Sequence, residues 1–392
     1  MSQGRVADRS LTVTPVPKDD SETRRQLDSI ASAAFPSPQN YVVELSEHTL
    51  AARIDDKVVG GVILDIVDGN DEPVGIVSWL FSSPEARGRG VGSRLLEEAI
   101  EYLQAAGCQA AVAVVQWSNT PSSKLFARRE FERTSSLSLA RRFGVKQVGS
   151  VWRKSYHFIN VSCDLWFRSF TLPPVSNTES KQGVTANVGT PDEMEGVRST
   201  SQSVGRFVET VFVHALLLAV VVGGVAVLTW DQTTLLLGGV GGVLIALRWL
   251  PYAVSTVLDD KRWTFWSWGN VYPFAGIIAV FGGFLPVPGH MAPEQRDWSY
   301  REALPVLGPA ATTWGGMLVG GLIVLTTLQG QFSNTVWEAL RITLTVFVVV
   351  DLWLILWPFD GYNGRVIYDW NRSVWAVLSA GAAVALGVVY LD

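Results

Sequence analysis

The chain has 392 residues, of which 48% are hydrophobic and only 17% charged, against roughly 25% charged in a soluble globular protein. The shortfall is local, because residues 207–392 hold just 8 of the 31 Lys and Arg and 12 of the 36 Asp and Glu. A net charge of −5 leaves no basic excess for nucleic acid and argues against that class of partner. Two cysteines, Cys108 and Cys163, build neither a disulfide framework nor a cysteine-rich zinc site.

The first fifteen residues lack the apolar run of a secretory signal, which predicts a cytoplasmic first half. Residues 21–34 predict a helix opened by Ser21. Residues 49–54, 58–66 and 74–81 predict successive strands, joined through Asp55-Asp56 and the turn at 68–71. Residues 90–106 predict an amphipathic helix carrying Val91, Leu95, Leu96, Ala99, Ile100 and Leu103 on one face, closed by Gly107. Residues 111–116 predict a further apolar strand. Residues 143–172 crowd aromatics (Trp152, Tyr156, Phe158, Trp166, Phe167 and Phe170) and admit two readings. They close the same domain with a helix and a strand, or they rest on a membrane interface.

Residues 173–206, rich in Pro, Ser, Thr, Gly and Asn, read as a linker. Beyond Thr210, apolar stretches long enough to cross about 30 Å of hydrocarbon recur. They fall near 210–230, 234–256, 304–327, 336–357 and 374–391. Residues 265–288 are apolar too, but Gly and Pro interrupt them, and a re-entrant segment is expected there. With five crossings, Arg248, Lys261, Arg262, Arg296, Arg301, Arg365 and Arg372 all fall on the cytoplasmic side. The outer connections at 231–233 and 329–334 then carry no Lys or Arg, as the positive-inside rule asks.

The chemistry of the first half concentrates in Ser83-Pro84-Glu85-Ala86-Arg87-Gly88-Arg89-Gly90-Val91-Gly92-Ser93-Arg94, between a strand and a long helix. Successive N–H groups at a helix start make a donor site for pyrophosphate. Glycine lets backbone approach phosphate, and arginines supply cations. On three spaced glycines alone, an ordinary glycine-rich turn explains the stretch equally well. The wider pattern decides. Arg87, Gly90 and Gly92, followed by Asn119, Ser122, Leu125 and Phe126 and then Glu130-Phe131-Glu132, resemble the GCN5-related N-acetyltransferases (GNAT) over residues 11–142, extending to 172.

That resemblance implies an α/β GNAT domain, a mixed central sheet flanked by helices, at residues 1–172. It implies acetyl-CoA as co-substrate and an unidentified amine as acceptor. The cofactor would be held by Leu80, Phe81, Arg87, Gly88, Arg89, Gly90, Val91, Gly92, Ser93, Asn119 and Phe126. Phe126 stands where the family often has a tyrosine that reprotonates the thiolate, and a phenyl ring has no proton to give. Asp65 and Glu85 are the candidate bases for the amine, although each also reads as an ordinary surface acid.

The second half, residues 207–392, is expected to be a polytopic helical membrane domain with the lipid bilayer and membrane proteins as partners. Tyr272-Pro273-Phe274, Phe281-Gly282-Gly283, Leu307-Gly308-Pro309 and the stretch 358–366 resemble the site-2 protease family of intramembrane zinc peptidases. Where that family carries His-Glu-x-x-His, this chain reads Arg248-Trp249-Leu250-Pro251-Tyr252, and the third ligand position falls on Asn363 or Asp360. Zinc hydrolysis needs two imidazoles a turn apart and a glutamate base, so a protease fold without its metal is expected. Among polar residues in the spans, Glu338 and Arg341 are placed to pair. His214 reads as interfacial packing, and Asp351 needs a partner such as Arg248.

Overall fold

The computed structural model describes residues 11–35, 37–68, 72–155, 162–170, 191–223, 232–267, 271–293, 298–328, 331, 334–356 and 361–391. They divide into two compact units, an α/β unit holding the described residues up to Ser155 and 164–170, and a mainly helical unit holding 162–163 and those from Pro191.

The α/β unit is built on a seven-stranded sheet in the order β1-β2-β3-β4-β5-β7-β6. The strands are β1 (Leu11–Pro15), β2 (His48–Ile54), β3 (Lys57–Val67), β4 (Val74–Ser82), β5 (Ala110–Gln116), β6 (Glu132–Thr134) and β7 (Cys163–Ser169). The first four run antiparallel as a meander, while β4 and β5 are parallel. A parallel pair needs a crossover, and α2 (Val91–Ala105) supplies it. Its apolar stripe is the one read from the sequence, and all six of those residues are buried.

Alternation along the strands divides the core. Leu64, Val77, Ala111 and Ala113 pack with α2, with Phe126 of α3 (Thr120–Ala127) and with Phe131. On the opposite face, Ile63 and Phe81 pack with Leu27 and Ala31 of α1 (Ser21–Ala34). Ile76 and Val112 pack there with α4 (Ser136–Phe143) and α5 (Val145–Lys154). Residues 143–170 therefore include a closing helix, α5, and a closing strand, β7. Tyr156, Phe158 and the turn at 69–71 lie outside the described residues.

The second unit contains α6 (Pro191–Gly223), α7 (Gln232–Val257), α8 (Tyr272–Val280), α9 (Tyr300–Thr327), α10 (Asn334–Val346), α11 (Asn363–Trp370) and α12 (Arg372–Leu391). Among the described residues three stretches are long and apolar enough to cross a membrane: Ser203–Val221, Tyr300–Thr327 and Arg372–Leu391. Two expectations change. The stretch read as a linker is helical from Pro191 onward and runs unbroken into the apolar part of α6. The span expected near 336–357 is not one regular helix, because α10 passes into a π-helical turn at Phe347–Trp353.

Among the described residues of 265–288, no helix is long enough to cross. Strands β8 (Trp263–Ser267) and β9 (Gly289–Pro293) pair antiparallel, with short α8 and an irregular stretch between them. Residues 284–288 are buried irregular backbone, which survives only if its polar groups find partners. Val287 N–H donates to His214 Nε2 at 2.7 Å, and the Val287 carbonyl accepts from Arg248 Nη1 at 3.1 Å. The Pro286 carbonyl accepts from the Tyr362 hydroxyl at 2.9 Å.

Candidate functional site

Strands β4 and β5 pair from Val74↔Ala110 to Val77↔Ala113 and then part, although β4 runs on to Ser82. At the same point the β3–β4 register slips. Ile63 faces Trp79 and Leu64 faces Val77, so Ser78 is an extra residue, a bulge. The sheet therefore opens a cleft on the β5 side of residues 78–82.

Strand parity settles which backbone groups face it. Ser83 N–H donates to the Val59 carbonyl at 2.8 Å, so the N–H and C=O of Phe81, two residues back, also point to β3. Those of Leu80 point into the cleft. This corrects the expectation that both residues offer backbone groups to the cofactor arm. Phe81 is spent on β3, and its ring packs edge-on to Phe35 at 6.0 Å.

Beyond β4, residues 83–90 turn sharply into α2. Gly88 and Gly90 have φ of +74° and +79°, a conformation in which a Cβ is strained. A Cβ at either position would meet no protein atom within 4 Å. Gly90 caps α2 without any side-chain hydrogen bond, so no side chain satisfies the first N–H groups of the helix, at Val91, Gly92 and Ser93. Arg87, Arg89 and Ser93 are exposed around this open start, whereas the Val91 side chain is buried in the core. The cradle fits a pyrophosphate: left-handed glycines, uncapped donors, a helix dipole and flanking guanidinium groups.

The remaining expected residues separate. Asn119 caps α3, its side-chain oxygen accepting from Ser122 N–H at 3.3 Å. Phe126 is 3% exposed and stacks edge-on to Phe131 at 5.0 Å. It is core, which corrects its assignment to the cofactor. Glu85 is exposed, and its pKa lies below the ordinary carboxylate value because its backbone N–H and the Ser83 hydroxyl hydrogen-bond the ionised form. That makes it a poor proton acceptor.

Asp65 is placed differently. Its Oδ2 accepts from the Ser78 hydroxyl at 2.8 Å, and its Oδ1 pairs with Lys154 Nζ at 3.2 Å. It lines a cavity of about 630 Å³ together with Glu44, Glu47, His48, Trp79 and Arg153. Glu47 is held ionised below its usual range by Lys18, and His48 Nδ1 lies 2.9 Å from the Tyr102 hydroxyl. Sequence reading found Asp65 but missed Ser78, Lys154, Glu44 and Glu47 of this wall. A bulge has no local signal, and only the unequal pairing of β3 with β4 reveals it.

In the second unit, Arg248, Tyr252 and Asn363, far apart in sequence, meet in one buried cluster. Arg248 pairs with Asp351 through Nη2 at 2.7 Å and Nε at 3.2 Å, both side chains being 0% exposed. Asp351 also accepts from Trp314 Nε1 at 2.8 Å and from Asn363 Nδ2 at 2.7 Å. The Tyr252 hydroxyl donates to Asn363 Oδ1. Arg248 is thus the partner Asp351 needs, and Glu338 pairs with Arg341 as expected. His214 is fully buried, with Nδ1 on the Thr210 carbonyl and Nε2 on Val287 N–H. Asp360 lies outside the described residues. Among those described, no three His, Cys, Asp or Glu side chains are grouped to hold a metal ion.

Residues 17–131 match the acetyltransferase (GNAT) family. A protein of Archaeoglobus fulgidus described as an uncharacterized N-acetyltransferase is 29% identical over 122 residues, covering 29% of this chain and 83% of that one. The acetyltransferase of GNAT family from Streptococcus pneumoniae is 23% identical, covering 32% of this chain and 86% of that chain, with a TM-score of 0.28. Arabidopsis thaliana Naa50, solved with the bisubstrate analogue CoA-Ac-MVNAL, is 18% identical, covering 41% and 99%, with a TM-score of 0.30. The match to the GNAT acetyltransferase family thus covers residues 17–131 within a longer chain.

Proposed function

We propose that this protein is an acetyl-CoA-dependent N-acetyltransferase tethered to a membrane, acting on an amine at the cytoplasmic face. One observation carries the reading. The cleft where β4 leaves β5 runs from the Ser78 bulge to the uncapped glycine turn at the start of α2. From Ser78 to Ser82 is about 13 Å of strand, a length that an extended pantetheine arm spans. Bound acetyl-CoA supplies an activated thioester carbonyl.

The chain does the rest. The start of α2, with Arg87 and Arg89, holds the pyrophosphate. The Leu80 N–H, facing the cleft, hydrogen-bonds the arm or its carbonyl. The acceptor amine enters through the cavity beside Asp65, which takes its proton. Attack by a positioned free amine needs mainly proximity and a polarised carbonyl, so the phenyl ring at position 126 does not forbid transfer.

The three long apolar stretches support the membrane tether. Metabolic acetyl-CoA is cytoplasmic, which supports an inward-facing α/β unit. The second unit reads as a protease-like scaffold without proteolytic chemistry, because an internal guanidinium and an amide fill the positions where the family resemblance puts zinc ligands. That arrangement also favours a second reading, in which the membrane unit binds membrane partners and the α/β unit senses acetyl-CoA without turnover.

Calorimetry of the full-length protein in detergent tests the first reading, with acetyl transfer to a panel of amines. Saturable 1:1 binding that weakens at least tenfold in Gly90→Val is expected. Unchanged affinity in that variant would remove the turn from the site. Binding without transfer to any amine would select the sensing role.

A further inference from the structure

We infer that Lys154 is itself an acceptor, and that the α/β unit acetylates its own Lys154 Nζ. The inference rests on the acetyl-transfer reading above. Lys154 ends α5, and its side chain is 47% exposed, with Nζ 3.2 Å from Asp65 Oδ1. The other oxygen of Asp65 holds Ser78, the bulge residue at which β4 and β5 part. A primary amine therefore already sits where an acceptor must sit, beside the proton acceptor and next to the cleft that would carry the thioester. The other amine of the cavity, Lys18, is engaged by Glu47 at 2.6 Å. Arg24 and Arg153 carry guanidinium groups that do not deprotonate.

The step balances without a further reactant. The Lys154 ammonium gives one proton to Asp65, and the freed lone pair forms a nitrogen–carbon bond to the acetyl carbonyl carbon. The carbon–sulfur bond breaks, its electron pair leaves on sulfur, and the thiolate takes up, through water, the second proton that the acylated nitrogen loses. Asp65 returns its proton to solvent. The products are an ε-acetamide and a free thiol.

The mark removes a charge, so it breaks the Asp65 ion pair. The cavity then presents Glu44, Glu47 and Asp65 to fewer cations, which favours a cationic amine as the next acceptor.

The test incubates the full-length protein in nanodiscs with acetyl-CoA and follows acetylation by peptide mapping. Lys154 should be marked at least tenfold faster than Lys146, an exposed lysine on the same helix. The rate should not depend on protein concentration, and should drop at least tenfold in Gly90→Val. Lys154→Arg should lose the mark. A second readout needs no turnover: in reductive methylation, bound CoA should shield Lys154 and leave Lys146 reactive. Equal acetylation of the two lysines, a rate that rises with protein concentration, or no shielding overturns the inference. Calorimetry separates the two ways to fail. If acetyl-CoA does not bind, the transferase reading falls as well. If it binds and Lys154 stays unmarked, only self-acetylation falls.

Discussion

Two carboxylates that looked alike in the sequence are distinguished by what touches them. Asp65 is partly buried, fixed by Ser78 and Lys154, and opens on the cavity. Glu85 is exposed, and hydrogen bonds stabilise its ionised form. Asp65→Asn should therefore lower kcat by about 10²-fold or more while acetyl-CoA affinity stays within twofold, whereas Glu85→Gln should change kcat less than twofold. Steady-state kinetics with any accepted amine reads both, and the opposite ranking would exchange their roles. Asp20, which caps α1 through Thr23 N–H at 3.0 Å, gives a pH signature. Hydrogen bonds from Thr23 lower its folded pKa below the ordinary 3.8. Its stabilisation is thus complete above the unfolded pKa and disappears as pH falls through the lower folded one. The melting temperature of Asp20→Ala should lie below that of the parent at pH 7, and the gap should narrow toward pH 3.

Glycines set the elements that matter most, for two different reasons. At Gly88 and Gly90 the backbone is left-handed and the space is open, so substitution there should weaken the cofactor more than the fold. At Gly364 the reason is contact, because a Cβ would lie 2.1 Å from the Leu352 carbonyl oxygen. Gly364→Ala should destabilise the second unit by about 1–3 kcal/mol, read as a lower melting temperature in detergent, with acetyl-CoA affinity unaltered. How far such features could be read ahead differs by element. Strands β2 to β4, α1 and α2 were legible within about two residues, because period-2 and period-3.6 apolar patterns and the turn residues agreed, whereas β1 was not read. The turn at 83–90 was legible through its glycines. The Ser78 bulge was not, since a register slip depends on the partner strand. The π-helical turn at Phe347–Trp353 was hidden as well, because its run of Val, Leu and Trp is as apolar as a regular span. The wall of the acceptor cavity joins residues from positions 18 to 154 and exists only in three dimensions.

At the scale of the whole molecule, the composition break near residue 207 separates two kinds of chemistry, and the buried Arg248–Asp351 pair shows what holds the second one together. Breaking such a pair from one side leaves an uncompensated buried charge, costing about 3–5 kcal/mol. Arg248→Met should unfold the second unit at a lower temperature by that measure, and adding Asp351→Leu should recover part of the loss. Topology is the sharper test. On the proposed function, the use of metabolic acetyl-CoA would put the α/β unit inside the cell. Residues 263–293 would then be expected to return without crossing, since among the described residues β8, α8 and β9 are each too short for a helical span and the buried stretch 284–288 is tied to His214, Arg248 and Tyr362. If α7 and the stretch 334–356 also cross, as the five-crossing expectation has it, Ser333 would lie outside and Ser373, at the start of α12, inside. The two native cysteines both lie before residue 207, so a variant lacking Cys108 and Cys163 can carry single reporters. An impermeant thiol reagent on intact cells should label Ser333→Cys and spare Ser373→Cys. The reverse pattern would mean that this region crosses after all, and that Arg365 and Arg372 lie outside against the positive-inside rule.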